Sequence, residues 1–361
     1  MKAAVLHEVG QPLSIEDIQV ADPAPREVRV RTKYAGVCHS DLHFVRGDYT
    51  WKLPAVLGHE SAGVVEAVGA DVTYVKPGDH VITCLSIFCG HCRYCTSGRP
   101  VLCLRQGLNR KRGEDPRLAL ADGGRLNQFL NLSSFAEAML VHEHAVVKVR
   151  EDMPFDRAAL VGCGVTTGVG AVLNTARIEA GSSVAVVGCG GVGLSAVQGA
   201  RLASAGQIIA VDMNAGKLEL AEKMGATHTV NASEVDPVEA VRELSSGGVD
   251  YSFEAIGLKI TAEQCFQMLG KGGTATVVGM IPEGVHIEVR GEDFLDEKRI
   301  QGSNMGSNRF RVDMPRYVDF YLQGKLNLDD MVSAEVRLED VNEALAALDT
   351  GEVARQVIRF D

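Results

Sequence analysis

The first residues, Met1 to Pro12, contain no apolar run of signal-peptide length and carry Glu8. No leader for secretion is therefore expected, and the cytoplasm is the expected compartment. Basic residues are in short supply: 36 Lys and Arg stand against 47 Asp and Glu, a net charge of −11. Phosphates would meet net repulsion, which argues against a nucleic-acid or anionic-membrane partner. Internal repeats and low-complexity linkers are absent, and the 39 glycines follow no period, which excludes collagen. An even cysteine count is missing as well. Of nine cysteines, five crowd between Cys84 and Cys103, a pattern that reads as metal binding rather than a disulfide framework. The uncharged stretch between Glu179 and Arg201 carries Ser182, Ser183, Ser195, Gln198 and a glycine cluster, so it reads as strand, turn and helix rather than a membrane span.

What is present is a chain of 361 residues, 46% hydrophobic and 23% charged, long enough for two cores. Val28, Val30, Thr32 and Tyr34 alternate with Arg29, Arg31 and Lys33, the period of a half-buried strand. Gly36, Gly58, Gly63, Gly69 and Pro77-Gly78 then cut the chain into short segments, as in an irregular antiparallel barrel. From about Gly181 the texture changes. Apolar runs at Val184–Val187, Ile208–Val211, Thr227–Val230, Tyr251–Ala255 and Thr274–Val278 alternate with helical patterns such as Lys217–Met224 and Pro237–Leu244, which predicts a parallel sheet covered on both faces. After Gly302 the alternation stops. Helices are expected at Val312–Gln323 and Val341–Leu348, then a strand at Gln356–Phe360 that rejoins the first domain. Residues 1–164, 165–304 and 305–361 are the expected first domain, second domain and return segment. The polar stretch Arg105–Arg125 is expected to be a long surface excursion.

Val184–Val187 runs into Gly188-Cys189-Gly190-Gly191-Val192-Gly193 and then a helical pattern. Gly188, Gly190 and Gly193 thus satisfy the dinucleotide fingerprint in its strand-to-helix context: a tight turn, room for a pyrophosphate, and close helix packing. The second strand ends in Asp212, placed to grip ribose hydroxyls and to repel the extra phosphate of NADP, so NAD is the predicted cofactor. The competing reading makes Asp212 a turn residue before Asn214.

Cys89, Cys92, Cys95 and Cys103 suit a closed tetrahedral zinc site with a structural role. A redox dithiol pair or an iron–sulfur cluster are the alternatives. Cys38, Gly58-His59-Glu60 and Gly162-Cys163-Gly164 also contain ligand-type residues, but spacing alone does not assemble them.

Gly58-His59-Glu60, Ala62-Gly63-Val64-Val65, Gly69, Pro77-Gly78-Asp79 and Val81, taken with the four-cysteine run and the glycine fingerprint, resemble the medium-chain zinc-containing alcohol dehydrogenases over essentially the whole chain. The resemblance implies an α/β fold, a doubly wound Rossmann domain plus a GroES-like barrel carrying catalysis. It implies two zinc ions per chain: a catalytic one held by Cys38, His59 and Cys163, with Glu60 and Asp41 behind them, and a structural one on Cys89, Cys92, Cys95 and Cys103. Ser40 and His43 match the proton relay. His39, Thr167, Gly191, Val192, Lys217 and Arg355 match cofactor-binding positions, with Thr167 and Val192 at the nicotinamide and His39 and Arg355 at the pyrophosphate.

Tyr49, Trp51, Leu85, Phe129, Leu130 and Met280 match pocket-lining positions. Such apolar walls favour primary aliphatic or aromatic alcohols and their aldehydes. The expected function is reversible NAD-linked oxidation of these alcohols by a homodimer, a tetramer being the other assembly. Two alternatives stay open. The long segment after Cys103 resembles the branch that includes thiol-dependent formaldehyde dehydrogenases, and Arg105, Arg110, Lys111 and Arg112 offer charge for glutathione or mycothiol, although Tyr49 stands where the glutathione enzymes carry an acid. The second is a non-enzymatic zinc- and NAD-binding redox sensor, suggested by the cysteine count and by Cys189 within the phosphate loop.

Overall fold

The computed structural model describes residues 1–110, 113–350 and 354–361, with the side chains of 349 and 350 outside the description. The chain forms two compact units: Met1–Cys163 with Arg309–Gly324 and Val332–Asp361, and Gly164–Asn308 with Lys325–Met331. The expected breaks after 164 and 304 thus fall after 163 and 308, and residues 325–331 of the return segment stay with the second unit. The reason is local. Buried Gln198 donates to the Asn327 carbonyl (3.0 Å) and accepts from its amide (2.6 Å), while Arg201 donates to the Lys325 carbonyl.

The first unit is built around the strand Glu27–Val37, whose alternation buries Val28 and Val30 against Val65, Val81, Met139 and Val141. It pairs antiparallel with Ser61–Val68, Ala138–His142 and Arg355–Arg359. A second sheet of five strands carries Lys2–Leu6 and Ser14–Val20. The last strand therefore does rejoin the first unit. Helices at Phe310–Leu322 and Val341–Thr350 precede it.

The second unit holds six parallel strands: Ser183–Val187, Gln207–Asp212, His228–Asn231, Val249–Glu254, Leu269–Val277 and Arg299–Gly302. Their order across the sheet is third, second, first, fourth, fifth, sixth. That is the doubly wound dinucleotide-binding order, with its switch point between the first and fourth strands. The helices Gly191–Leu202, Ala215–Met224 and Pro237–Leu244 start at Gly190, Asn214 and Asp236; the Asn214 and Asp236 side chains accept from the amides of Lys217 and Glu239, as N-caps should.

The stretch expected as a long surface excursion, Arg105–Arg125, is tied down within its described residues: Leu108 and Arg117 are buried, and Leu118–Leu120 pairs with Ser14–Val20. The helical run Phe155–Ala176 is long and apolar enough to span a membrane, yet 83% of its most apolar window is buried within the fold, as a core helix would be.

Candidate metal centres and dinucleotide site

The helix His39–Arg46 starts from Cys38 in extended conformation, so Cys38 is the N-cap and Ser40 lies inside the first turn. Asp41, fully buried, turns back into the core. Its Oδ2 accepts from the Cys38 amide (3.3 Å), and its Oδ1 accepts from the Gly58 amide (3.1 Å) and lies 3.0 Å from His59 Nδ1. Asp41 thus fixes the ring of His59 so that Nε2 faces the sulfurs. That nitrogen is buried and has no hydrogen bond among the described residues. Cys163 reaches the same point from a π-helical turn, Val161–Val165, a widened turn common at functional sites. The ligand atoms of Cys38, His59, Cys163 and Glu60 all lie within 4.8 Å of one another, and all four residues are buried.

The electrostatics fit a cation. A hydrogen bond from Cys163 holds the Cys38 thiol well below its ordinary value against the cost of burial, with Arg355 and His59 assisting. The same bond and burial push Cys163 well above its own. The two sulfurs thus shift in opposite directions, each through its bond to the other. Burial opposes charge on His59, but the Asp41 carboxylate outweighs it and raises the imidazole well above its usual range. Burial lifts Glu60 to about 7 against the pull of Arg355. Two sulfurs, an imidazole nitrogen oriented by a carboxylate, and a nearby carboxylate oxygen form the donor set of a catalytic zinc site.

Arg355, matched by the resemblance to the pyrophosphate, is buried with Nη1 3.3 Å from the Val37 carbonyl and 3.6 Å from Glu60 Oε2. In this structure its guanidinium neutralises the carboxylate behind the centre. His39 is exposed at the helix start. Ser40 Oγ lies 3.7 Å from Cys38 Sγ, and His43, half-buried one turn on, has Nδ1 2.8 Å from Asp48 Oδ2. Beside them stands an aromatic cluster: Phe44 contacts Tyr49, Trp51 and Phe129 with ring centroids 5.7, 5.8 and 4.8 Å apart, and Phe129 lies 6.1 Å from the His59 ring. Phe44 was missed by sequence reasoning. Its place at i+4 from Ser40 on the helix was the available signal. Leu85 and Leu130 are half-buried in the same unit, while Met280 lies in the other unit.

The four-cysteine lobe closes as a second centre. Sulfur separations are 3.5 Å for Cys92–Cys95, 3.9 Å for Cys92–Cys103 and 4.0 Å for Cys89–Cys95. Four sulfurs about 2.3 Å from one zinc would stand about 3.8 Å apart. Backbone amides point at them: Cys89 and Arg105 donate to Cys103 Sγ at 3.1 Å, and Cys92 donates to Cys89 Sγ at 3.4 Å. These donors stabilise thiolates and leave no side for chemistry.

In the second unit, a Cβ on Gly193 would fall 1.7 Å from the Gly188 carbonyl oxygen, so only glycine lets helix and strand approach there. A Cβ on Gly190 would meet nothing within 4 Å, the open cradle a pyrophosphate needs. Asp212 closes the turn weighed for it, Oδ1 accepting from the Asn214 amide at 3.0 Å, and its Oδ2 accepts from the Cys189 amide at 2.7 Å, tying the phosphate loop to the second strand. It remains half-exposed, as does Lys217. Gly191 and Val192 open the helix. Thr167 is buried, with its hydroxyl 3.3 Å from Met305 Sδ. Cys189, Cys84 and Cys265 are fully buried with thiols pushed well up by desolvation, Cys84 to about 12. Such thiols are poor redox sensors.

The basic residues proposed for a thiol cofactor fare differently. Arg110 is committed to Glu27 (2.6 Å) and to the carbonyls of Asp22 and Asp115. Arg105 is exposed. Lys111 and Arg112 lie outside the described residues.

Comparison with known proteins agrees with this geometry. Residues 24–151 match the alcohol dehydrogenase GroES-like domain, and residues 191–323 match the zinc-binding dehydrogenase family. The chain is 39% identical to a class-3 alcohol dehydrogenase of Cereibacter sphaeroides, covering 99% of each chain. It is 37% identical to an S-(hydroxymethyl)glutathione dehydrogenase of Paracoccus denitrificans, again covering 99% of each. Among solved structures, an alcohol dehydrogenase zinc-binding domain protein from Burkholderia ambifaria superposes with a TM-score of 0.95 at 39% identity, covering 100% of this chain and 98% of that one. The benzyl alcohol dehydrogenase of Acinetobacter calcoaceticus gives 0.94 at 34% identity, covering 100% and 99%. With two cysteine-based centres, a GroES-like barrel and a doubly wound sheet, the chain belongs to the zinc-dependent medium-chain alcohol dehydrogenase family.

Proposed function

We propose that this protein oxidises a primary hydroxyl carbon with NAD at the Cys38–His59–Cys163 centre, and that its leading substrate class is the S-hydroxymethyl adduct of a small thiol with formaldehyde. The carrying observation is the buried trio itself, with the His59 Nε2 aimed at two sulfurs by Asp41. When bound there, zinc would lower the pKa of a hydroxyl beside it. The chain's own residues do the rest. Ser40 receives the hydroxyl proton, and His43, held by Asp48, carries it towards solvent. With NAD bound, its nicotinamide would supply the hydride acceptor, so the substrate gives up one hydride and one proton in all and an acyl or aldehyde carbon remains. Gly188 and Gly190 would leave room for the pyrophosphate, Gly193 lets the helix close on the strand, and Asp212 would select NAD over NADP.

Sequence reasoning put free primary alcohols first. The names of the Cereibacter and Paracoccus relatives support the thiol adduct instead. A second reading keeps its own support: the aromatic cluster of Phe44, Tyr49, Trp51 and Phe129 suits a benzylic alcohol, as the Acinetobacter neighbour's name suggests. The assay follows NADH with formaldehyde alone, with glutathione, with mycothiol, and with benzyl alcohol. Stimulation by either thiol by about tenfold or more is expected. Turnover of benzyl alcohol with no thiol effect would overturn the leading substrate and leave the second; no NADH from any of them would overturn the dehydrogenase. A cytoplasmic homodimer is proposed with it, for which sedimentation provides the check.

A further inference from the structure

Glu254 ends the fourth strand of the parallel sheet and stands in register beside Val187, the last residue of the first strand. This is the switch point of the sheet order, where the crevice for a ligand opens. A carboxylate in such a place is expected to face the ligand. Glu254 does not: it is fully buried. Its Oε1 accepts three hydrogen bonds from the segment that follows, from the Ile256 amide (3.0 Å), the Gly257 amide (2.7 Å) and the Thr261 hydroxyl (2.8 Å). Its own backbone carbonyl accepts from Val278 and Gly279, beyond the end of the fifth strand. Oε2 has no partner among the described residues; it fills the space where a side chain at 279 would be, since a Cβ on Gly279 would lie 2.6 Å away.

The side chain therefore joins two lips of the crevice. One is the turn after the fourth strand. There Ile256 lies against the first glycine of the phosphate loop: a Cβ on Gly188 would come within 2.4 Å of Ile256 Cγ1. The other is the segment after the fifth strand, packed so closely on the turn that a Cβ on Gly257 would fall 2.5 Å from the Met280 carbonyl oxygen. A buried carboxylate accepting three donors is a strong local clamp; removing it would orphan the Ile256 and Gly257 amides and leave the Thr261 hydroxyl only the Leu258 carbonyl at 3.0 Å.

We propose that Glu254 is a positioning residue for the dinucleotide, acting through the turn 255–258 and the segment 278–280 rather than by touching the cofactor. This rests on the dinucleotide reading above.

The test is calorimetric titration of NADH into the zinc-loaded full chain, with melting temperature recorded alongside, for wild type, E254A, E254Q and T261A. E254A is expected to raise the NADH Kd by about tenfold or more, with the KM for NAD rising in parallel and kcat at saturating NAD changing less than about twofold. E254Q keeps the acceptor oxygen and should restore affinity to within about threefold. T261A, which removes one donor of three, should raise Kd by about threefold, and it carries the test if E254A does not fold. Unchanged affinity in folded E254A, or in T261A where that variant carries the test, would overturn the proposal, as would an E254Q as weak as E254A. A wild type that binds no NADH would overturn the dinucleotide reading itself, and the inference with it.

Discussion

Asp41 carries more of the catalytic centre than its single place in the sequence suggests. One carboxylate holds the Cys38 amide, the Gly58 amide and the His59 ring, so it orients one ligand and the approach to another. Such outer partners are worth 10- to 100-fold in metal affinity. D41A should therefore lower zinc affinity at the Cys38–His59–Cys163 centre by about that factor while leaving the four-cysteine lobe loaded, as read by competition with a chromophoric chelator. Equal loss from both centres would contradict the assignment. At this scale the sequence was only partly informative. The Gly58-His59-Glu60 run and the short-spaced cysteines were legible because local spacing constrains them. That Arg355 sits behind Glu60, or that Phe44 centres the aromatic cluster, depends on contacts between residues far apart in the chain.

At the scale of elements, the stretch after Cys103 shows how one buried charge organises a segment. Glu27 receives Arg110 at 2.6 Å and Arg117 at 2.7 Å from positions 83 and 90 residues downstream. Burial alone would raise its carboxyl, but these hydrogen bonds outweigh it and bring it down from 4.5 to about 2. Because the folded value lies below the unfolded one, the resulting stability is present above about pH 4.5 and is lost as pH falls towards 2. By linkage it amounts to on the order of 3 kcal/mol. E27Q should lose this contribution at neutral pH and show a flatter decline in urea midpoint between pH 5 and 3, within whatever range unfolding stays reversible; curves parallel to wild type would contradict the ion-pair account. Polar composition made this stretch read as an excursion, since sequence gives no sign of a partner so remote. The parallel strands were legible for the opposite reason. Strands buried on both faces show as unbroken apolar runs, whereas the edge strand Arg299–Gly302, with Arg299 and Gly302 exposed, has no such signature.

At the scale of the whole molecule, two units share one chain that passes between them four times, and each centre belongs to a single unit. The fold class was readable because the change from short glycine-punctuated strands to alternating strands and helices is long and regular. The return of residues 325–331 to the second unit was not, since it hangs on Gln198 gripping Asn327 across 129 residues. The proposed activity depends on two distinct metal centres, of which only one carries chemistry. Zinc content per chain, measured by mass spectrometry on wild type and C163A purified side by side, tests this most directly. Two zinc ions in wild type and one in C163A, with NADH formation abolished in the variant, are predicted; a C163A protein that keeps both ions and full turnover would contradict it.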